Sequence, residues 1–468
     1  MAADLIQPIA EKEGISDASS TGSDAQNPLT PRDRVPALDG LRGLAILAVF
    51  LFHYVGEGGT PHSFLVRGIH GITRFGWAGV DLFFVLSGFL ITGILFDTQH
   101  SPHYYRAFYI RRTLRIFPLY YFFLGLVAFV GVLLGVRWTA GHALFLVYLG
   151  YPGALILPNL VKLPYIRLVH LWSLSVEEQF YLLWPFLIRT LSTSRRILRL
   201  CLGLMCLALT MRLLMWGTGW LNGKWAYMFL PFRIDSLALG AALAVLARGP
   251  SFERVMKLAP YVLLLTTPIL GVLLVFSPNT RPTEAPQMWT LGFTLNALIS
   301  GSLLLLALRP MGIVVRVFNA SFLRKLGKYS YGIYIYHFPL AAILEAHKPA
   351  MIHALHSEFI AKLVFIPGAL FINYLAAKAS YEFFESPVLN LKSRFAYDGD
   401  SGNLGFQATG FASMRATSQL SQSSITISST QQAIKHGPAA KIDSTQVLAT
   451  SDPMDARHRV NYHQRPSS

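Results

Sequence analysis

Long apolar runs, each close to twenty residues, alternate with short polar segments through the middle of the chain. About 20 apolar residues in a helix cross the hydrocarbon core of a bilayer, so the pattern predicts an all-α polytopic membrane protein. About ten transmembrane helices are expected, at 41–57, 77–97, 119–136, 171–189, 199–216, 226–247, 258–276, 288–308, 329–345 and 359–381.

A further apolar stretch at 142–157 is assigned from the charges of the loops. Lys and Arg concentrate in cytoplasmic loops, and with ten spans the basic clusters all fall on one side of the membrane. An extra span at 142–157 would move the later clusters outside. The stretch is therefore predicted to be re-entrant or interfacial. We expect a multi-pass protein of the cell inner (plasma) membrane with both termini in the cytoplasm.

The two ends of the chain differ in composition from its middle. Residues 1–33 are rich in Ser, Asp, Gln, Pro and Ala, and residues 393–468 are rich in Ser, Thr and Gln. Such segments lack the apolar content to form a core, so both are predicted to be disordered and cytoplasmic. Residues 34–392 are predicted to form one membrane domain.

The composition excludes an ordinary soluble protein, because 53% of the residues are hydrophobic and 14% are charged. The net charge of +16 suits nucleic acid, but the basic residues flank apolar helices. We therefore expect the lipid bilayer, and not nucleic acid, as a partner. Cys201 and Cys206 lie in one apolar run and cannot build a disulfide framework or a zinc site, so no metal is expected.

Ionisable side chains occur inside the first two predicted spans. Arg42 and His53 are eleven residues apart, which places them on one helix face and roughly 16 Å apart along the axis. Intramembrane charges are costly and are therefore functional candidates, and histidine can take up a proton near neutral pH. Asp81 is expected at a similar depth on the neighbouring helix, where it would orient His53. The alternative for Arg42 is a topogenic charge, and the alternative for His53 is a structural histidine. For Asp81 the alternative is a helix cap.

A basic cluster follows the second predicted span, in the sequence FYIRRTLRIFP. Arg111 and Arg115 share a helix face, and Arg112 lies between them. Arginine matches phosphate oxygens in a bidentate manner, so the cluster could bind a phosphorylated ligand. A topogenic cluster that meets anionic lipid headgroups is the alternative.

Polar groups also interrupt the apolar pattern near three later helices. The polar residues of the segment HLWSLSVEEQFYLLWP predict a polar pocket at the outer face. Its aromatic residues could alternatively be interfacial anchors. Arg233 and Asp235 are expected to form ion pairs with other helices. The candidate substrate-binding residues are Trp172, Ser173, Glu177, Glu178, Tyr181 and His337.

Seven segments occur in an order that resembles the acyltransferase 3 family. They are R-x10-H at Arg42 and His53, GVDLFFVLSGFL, RRTLRIFP, HLWSLSVEEQFYLLWP, FRIDSLALG, YSYGIYIYHFPL and FFESP. The resemblance implies a ten-helix membrane domain that uses cytoplasmic acyl-CoA. It also implies that Arg42, His53 and Asp81 matter to catalysis and that the arginines at 111, 112 and 115 lie near the donor.

The resulting hypothesis is an integral membrane O-acyltransferase. It would move an acyl group, most simply acetyl, from acyl-CoA to a hydroxyl of a carbohydrate or glycolipid acceptor, with His53 as general base or acyl relay. The tail shows no esterase-like nucleophile motif, so partners in glycan biosynthesis or periplasmic transfer would perform any second step. A transporter or flippase of lipid-linked glycan is the alternative, because intramembrane His, Asp and Arg also suit proton coupling.

Overall fold

The computed structural model describes residues 35–56, 73–133, 168–219, 223–277, 285–395 and 397. Within these ranges the chain forms helices and short connections without β-strands, which confirms the predicted all-α class. The stretch at 142–157, the N-terminal segment 1–33 and the tail beyond 397 lie outside the described residues. Described structure continues past the predicted domain boundary at 392, as far as Tyr397.

Fifteen α-helices occur in the described ranges. They are α1 (Pro36–Leu51), α2 (Gly79–Asp97), α3 (Tyr104–Leu133), α4 (Trp172–Leu191), α5 (Ser194–Thr218), α6 (Gly223–Met228), α7 (Leu230–Leu246), α8 (Phe252–Val275), α9 (Phe293–Ala307), α10 (Ile313–Phe318), α11 (Ser321–Lys328), α12 (Ser330–Glu345), α13 (Lys348–Leu355), α14 (Glu358–Ser380) and α15 (Ser386–Asn390). Short π-helical turns are Phe52–Gly56, Met288–Gly292 and Tyr381–Glu385, and short 3-10 turns are Arg74–Ala78, Val169–Leu171 and Leu391–Arg394.

Eight helices of the described ranges are long and apolar enough to cross a membrane. Each overlaps one of the ten predicted spans. The other two predicted spans correspond to α4, which carries Glu177, Glu178 and Arg189, and to α12, which is 16 residues long. Charge and short length are the reasons that these two helices do not qualify by composition and length alone. The multi-pass membrane protein is thus established, and the count of ten stays a prediction.

The central helices pack against each other and the outer ones present apolar side chains to the surroundings. In the candidate membrane span that ends with α2, 72% of the most apolar 18-residue stretch is buried inside the protein, whereas the corresponding share in α8 is 17%. Helices α2 and α7 approach closely because Gly88 lies against the backbone of Leu237, where a Cβ would come within 2.0 Å of the carbonyl oxygen. Small residues permit such close helix contacts in membranes. This contact positions the charged groups described below.

Candidate active site

A cavity opens between α1, α2, α3, α4 and α12, with a volume of about 910 Å³ including its mouth. Three guanidinium groups line it, from Arg42 of α1 and from Arg112 and Arg115 of α3. We call it the arginine cavity. Arg42 and the basic cluster, which are 70 residues apart in the chain, therefore meet at one site, and His53 is not among the residues that line it.

The three arginines are held in different ways. Arg42 donates a hydrogen bond of 3.0 Å to Asp39, and 36% of its side chain is exposed. Arg112 lies over the ring of Tyr181 at 5.3 Å. Arg115 makes an ion pair of 4.0 Å with Glu385. Each guanidinium keeps donors that these contacts do not use, so an anion could bind between them.

Arg111 occupies a different place from its two neighbours. Its guanidinium donates to the carbonyl oxygens of Lys392 at 3.5 Å and Phe395 at 3.2 Å, and Arg111 is not among the cavity-lining residues. Of the three predicted donor-binding arginines of α3, Arg112 and Arg115 thus line the cavity, and Arg111 does not. Spacings of three and four residues both keep side chains on one face of a helix, so tertiary contacts decided between them.

The predicted acceptor-side residues of α4 divide into two groups. Ser173, Glu177 and Tyr181 follow one helix face and line the arginine cavity. The separate pocket expected for them at the outer face is therefore not what the structure shows. Tyr181 donates to Glu177 at 3.3 Å and shares a hydrogen bond of 2.5 Å with Ser87. The cavity is thus lined both by guanidinium groups and by a tyrosine–carboxylate network, and Arg112 and Tyr181 are in contact.

Trp172 and Glu178, on other faces of α4, are buried and do not line the cavity. The Trp172 indole packs against the rings of Tyr227 at 4.6 Å and Phe84 at 5.9 Å. Aromatic packing of this kind stabilises the contact between helices. The structure therefore separates these two from the other candidate residues of their motif.

His53 lies in the π-helical turn that continues α1. Its Nδ1 atom is 3.0 Å from the carbonyl oxygen of Val49 and 3.3 Å from Nε2 of His337. A carbonyl oxygen only accepts, so Nδ1 of a neutral ring carries the hydrogen and Nε2 keeps its lone pair. Turns of this wide type are frequent at functional sites. His53 can therefore act as a base through Nε2.

His337 of α12 is fully buried, and its Nδ1 atom lies 2.7 Å from the carbonyl oxygen of Tyr334. The same reasoning leaves its Nε2 as an acceptor for the Nδ1 hydrogen of His53. The backbone carbonyl of His337 accepts from the Tyr54 hydroxyl at 2.9 Å, which ties α12 to the turn that carries His53. His337, a predicted substrate-binding residue, is thus a neighbour of His53.

A third imidazole, that of His170, lies 5.4 Å from the His337 ring. Its Nε2 atom is 3.2 Å from the carbonyl oxygen of Ile335, and its buried Nδ1 atom has no hydrogen-bond partner in the described part of the chain. The described residues contain no group of three His, Cys, Asp or Glu side chains that could hold a metal ion. Tyr334 contacts this histidine cluster and also lines the arginine cavity.

Asp81 is buried but does not contact His53 among the described residues. Its carboxylate accepts hydrogen bonds from Arg233 at 2.7 Å, Ser236 at 2.6 Å and Asn296 at 2.6 Å. The structure therefore does not contain the predicted contact between Asp81 and His53. The two residues are on neighbouring helices, but a buried guanidinium requires a counter-ion, and the Asp81 carboxylate pairs with Arg233 of α7 instead.

A second buried ion pair lies beside the first. Arg212 of α5 donates to Asp235 at 2.6 Å and to Thr294 at 2.5 Å. The expectation that Arg233 and Asp235 pair with other helices is thus confirmed. Sequence reasoning missed Arg212, although an arginine inside the apolar run 199–216 was a usable signal. Arg233 also lies 4.0 Å from the centre of the Phe293 ring, a cation–π contact.

The helical fold and its polar cavity are those of a multi-pass membrane protein. The chain belongs to the acyltransferase family whose model, described as an acyltransferase domain, matches residues 35–377. The family expected from the seven sequence segments is therefore confirmed. No solved structure matches the chain.

Several curated proteins are similar to the chain. The peptidoglycan O-acetyltransferase of Listeria monocytogenes is 26% identical over 391 residues, which cover 76% of this chain and 56% of that protein. A putative peptidoglycan O-acetyltransferase of Bacillus subtilis is 28% identical, covering 76% and 55%. A putative O-acetyltransferase of Staphylococcus aureus is 27% identical, covering 75% and 57%. The chain thus spans about half the length of these relatives.

Proposed function

We propose that the protein is an integral membrane O-acyltransferase that moves an acetyl group from cytoplasmic acyl-CoA to a hydroxyl of an envelope glycan or glycolipid. The observation that carries the proposal is the meeting of Arg42, Arg112 and Arg115 in one cavity. Membership of an acyltransferase family and similarity to proteins named as O-acetyltransferases of peptidoglycan support it. The inner membrane, with both termini in the cytoplasm, is the proposed location.

The arginine cavity would bind the donor. Coenzyme A carries several phosphate oxygens, which guanidinium groups recognise through charge-assisted hydrogen bonds. Glu177 and Tyr181, which line the same cavity, would accept hydrogen bonds from the neutral amide groups of the pantetheine arm. The Arg42 end of the cavity would lie towards the cytoplasm, which the basic loops of that side support.

His53 would act as the general base. Its Nε2 atom takes the proton from the acceptor hydroxyl while the hydroxyl oxygen attacks the thioester carbonyl carbon. The carbon–sulfur bond then breaks, and the departing thiolate takes the proton from His53. The products are an O-acyl ester and free CoA. General base catalysis contributes typically about 10²–10⁴-fold to a rate.

The polar contacts of His53 support this role. The Val49 carbonyl and the His337 Nε2 atom both accept from Nδ1, so they fix the tautomer and stabilise the imidazolium that forms during transfer. This arrangement replaces the orienting role on His53 that the sequence predicted for Asp81. We assign Asp81 to the neutralisation of Arg233 and hence to the positions of α2 and α7.

The test follows labelled acetyl groups from acetyl-CoA to a crude envelope glycan extract, with purified wild type and His53→Ala in vesicles. We expect transfer by wild type and a loss of about 10²-fold or more in the variant. His347→Ala is the matched control, because His347 is an exposed histidine at the end of α12. Full activity of folded His53→Ala would exclude the base, and wild type that moves glycan without consuming CoA would favour a transporter.

A further inference from the structure

The arginine cavity extends along the helices that surround it, so its two ends can be told apart. On α2 the lining residues run from Val80 to Ile91, which are roughly 16 Å apart along the helix axis. On α4 they run from Ser173 to Tyr181, roughly 12 Å apart. Arg112 lies over the Tyr181 ring at 5.3 Å, so the Tyr181 end of the cavity is the cationic one.

A pair of hydrogen-bonded side chains lies at the other end of the cavity. Ser173, in the first turn of α4, and Tyr334 of α12 both line the cavity, and their hydroxyl groups are 2.5 Å apart. The Tyr334 hydroxyl also donates to the carbonyl oxygen of His170 at 2.6 Å. A phenol has a single hydrogen to donate, so the bond between the two hydroxyl groups is donated by Ser173.

Packing and hydrogen bonds together hold the Tyr334 side chain in place. The Phe83 ring, which also lines the cavity, lies 6.4 Å from the Tyr334 ring in an edge-on arrangement. Only 7% of Tyr334 is exposed. An aromatic ring that is packed on its sides and hydrogen-bonded at its tip resists displacement by a ligand.

The histidine cluster lies against the same ring. The Tyr334 ring is 5.4 Å from the His337 ring and 5.6 Å from the His170 ring. The Tyr334 backbone carbonyl lies 2.7 Å from Nδ1 of His337. His53, His170 and His337 are not among the residues that line the cavity. Tyr334 is therefore the boundary between the arginine cavity and the cluster that contains the proposed base.

We propose that Tyr334 is a specificity-determining residue whose ring limits the acyl group of the donor to a short one. This inference rests on the proposed function and deepens it. With the phosphates of CoA at the arginines, the thioester would point to the opposite end of the cavity, where Tyr334 lies. An acetyl group would fit against the ring. A longer chain would have to displace the ring or the packed histidines behind it, and such overpacking is unfavourable.

The experiment measures kcat/KM for acetyl-CoA and for hexanoyl-CoA with the full chain in vesicles and a crude envelope glycan extract as acceptor. Wild type should prefer acetyl-CoA by at least about tenfold, because one methylene group too many in a fitted pocket changes kcat/KM by about tenfold or more. Tyr334→Ala and Tyr334→Leu shorten the side chain and should move this ratio towards hexanoyl-CoA by about tenfold or more. Tyr334→Phe keeps the ring and should keep the wild-type preference.

The matched control is Tyr336→Ala, because Tyr336 is on the same helix, does not line the cavity and shares a hydrogen bond with Ser380 instead. A ratio of two donors is independent of the amount of folded enzyme. Equal use of both donors by wild type, an unchanged ratio in Tyr334→Ala and Tyr334→Leu, or the same shift in Tyr334→Phe or Tyr336→Ala would overturn the specificity proposal alone. Wild type that transfers no acyl group from either donor would overturn the acyltransferase proposal as well.

Discussion

Two groups of arginines lie among the helices of this protein, and their surroundings differ. Arg212 and Arg233 are fully buried and each contacts an aspartate at 2.6–2.7 Å. Arg42 and Arg115 are about one third exposed and line a cavity. Both groups have carboxylate partners, since Arg42 contacts Asp39 and Arg115 contacts Glu385. A guanidinium that is buried beside its counter-ion is closed to a ligand, whereas one that faces a cavity can still bind one. The exposure, more than the residue type or the partner, therefore separates a structural arginine from a binding one.

Removal of the Asp81 carboxylate should have the largest effect on stability. Asp81→Ala leaves Arg233 as an uncompensated buried charge, which costs about 3–5 kcal/mol. We expect little folded protein by size-exclusion chromatography and a markedly lower Tm in detergent. The matched control is Glu345→Ala, because the Glu345–Lys348 pair is long and partly exposed and such pairs are worth roughly 0–1 kcal/mol. Equal stability of the two variants would contradict the structural role.

The double variant Asp81→Leu with Arg233→Leu sharpens the same comparison. Apolar replacement of a whole buried ion pair is often neutral, so much of the lost Tm should return. The second measurement is the catalytic activity of the folded double variant. Activity near wild type would show that Asp81 acts through Arg233 alone, and inactivity of a stable protein would restore a chemical role for the carboxylate.

His337 is the next position to change, because it takes the place beside His53 that Asp81 was predicted to hold. His337→Ala removes the acceptor at 3.3 Å and should lower kcat by about 10–100-fold with KM unchanged, similar to the loss of residues that orient metal-bound histidines. His337→Gln offers an amide oxygen near the position of Nε2 and should restore most of kcat. A KM increase in His337→Ala would indicate substrate binding instead.

The helices and the family could be predicted from the sequence, but the pairing of side chains could not. Apolar length identifies α1 and α2, and the R-x10-H spacing identifies Arg42 and His53. Helical periodicity gives the face of Asp81 without stating which neighbour that face meets, and His53 was the only partner that the sequence predicted. The choice depended on the close contact between α2 and α7, which joins residues 152 positions apart.

The same limit applies to α3, where the sequence could not show that Arg111 contacts Lys392 and Phe395 while Arg112 lines the cavity. Replacement of Arg112 has the smallest of the expected effects. Arg112→Ala removes one partly buried guanidinium of the proposed donor site, so KM for acetyl-CoA should rise about five- to tenfold while kcat and Tm stay near wild type. Arg196→Ala, an exposed charge at the start of α5, is the control. If Arg112→Ala instead lowers Tm as Asp81→Ala does, the cavity arginines are structural ions like Arg233, and the distinction between the two groups fails.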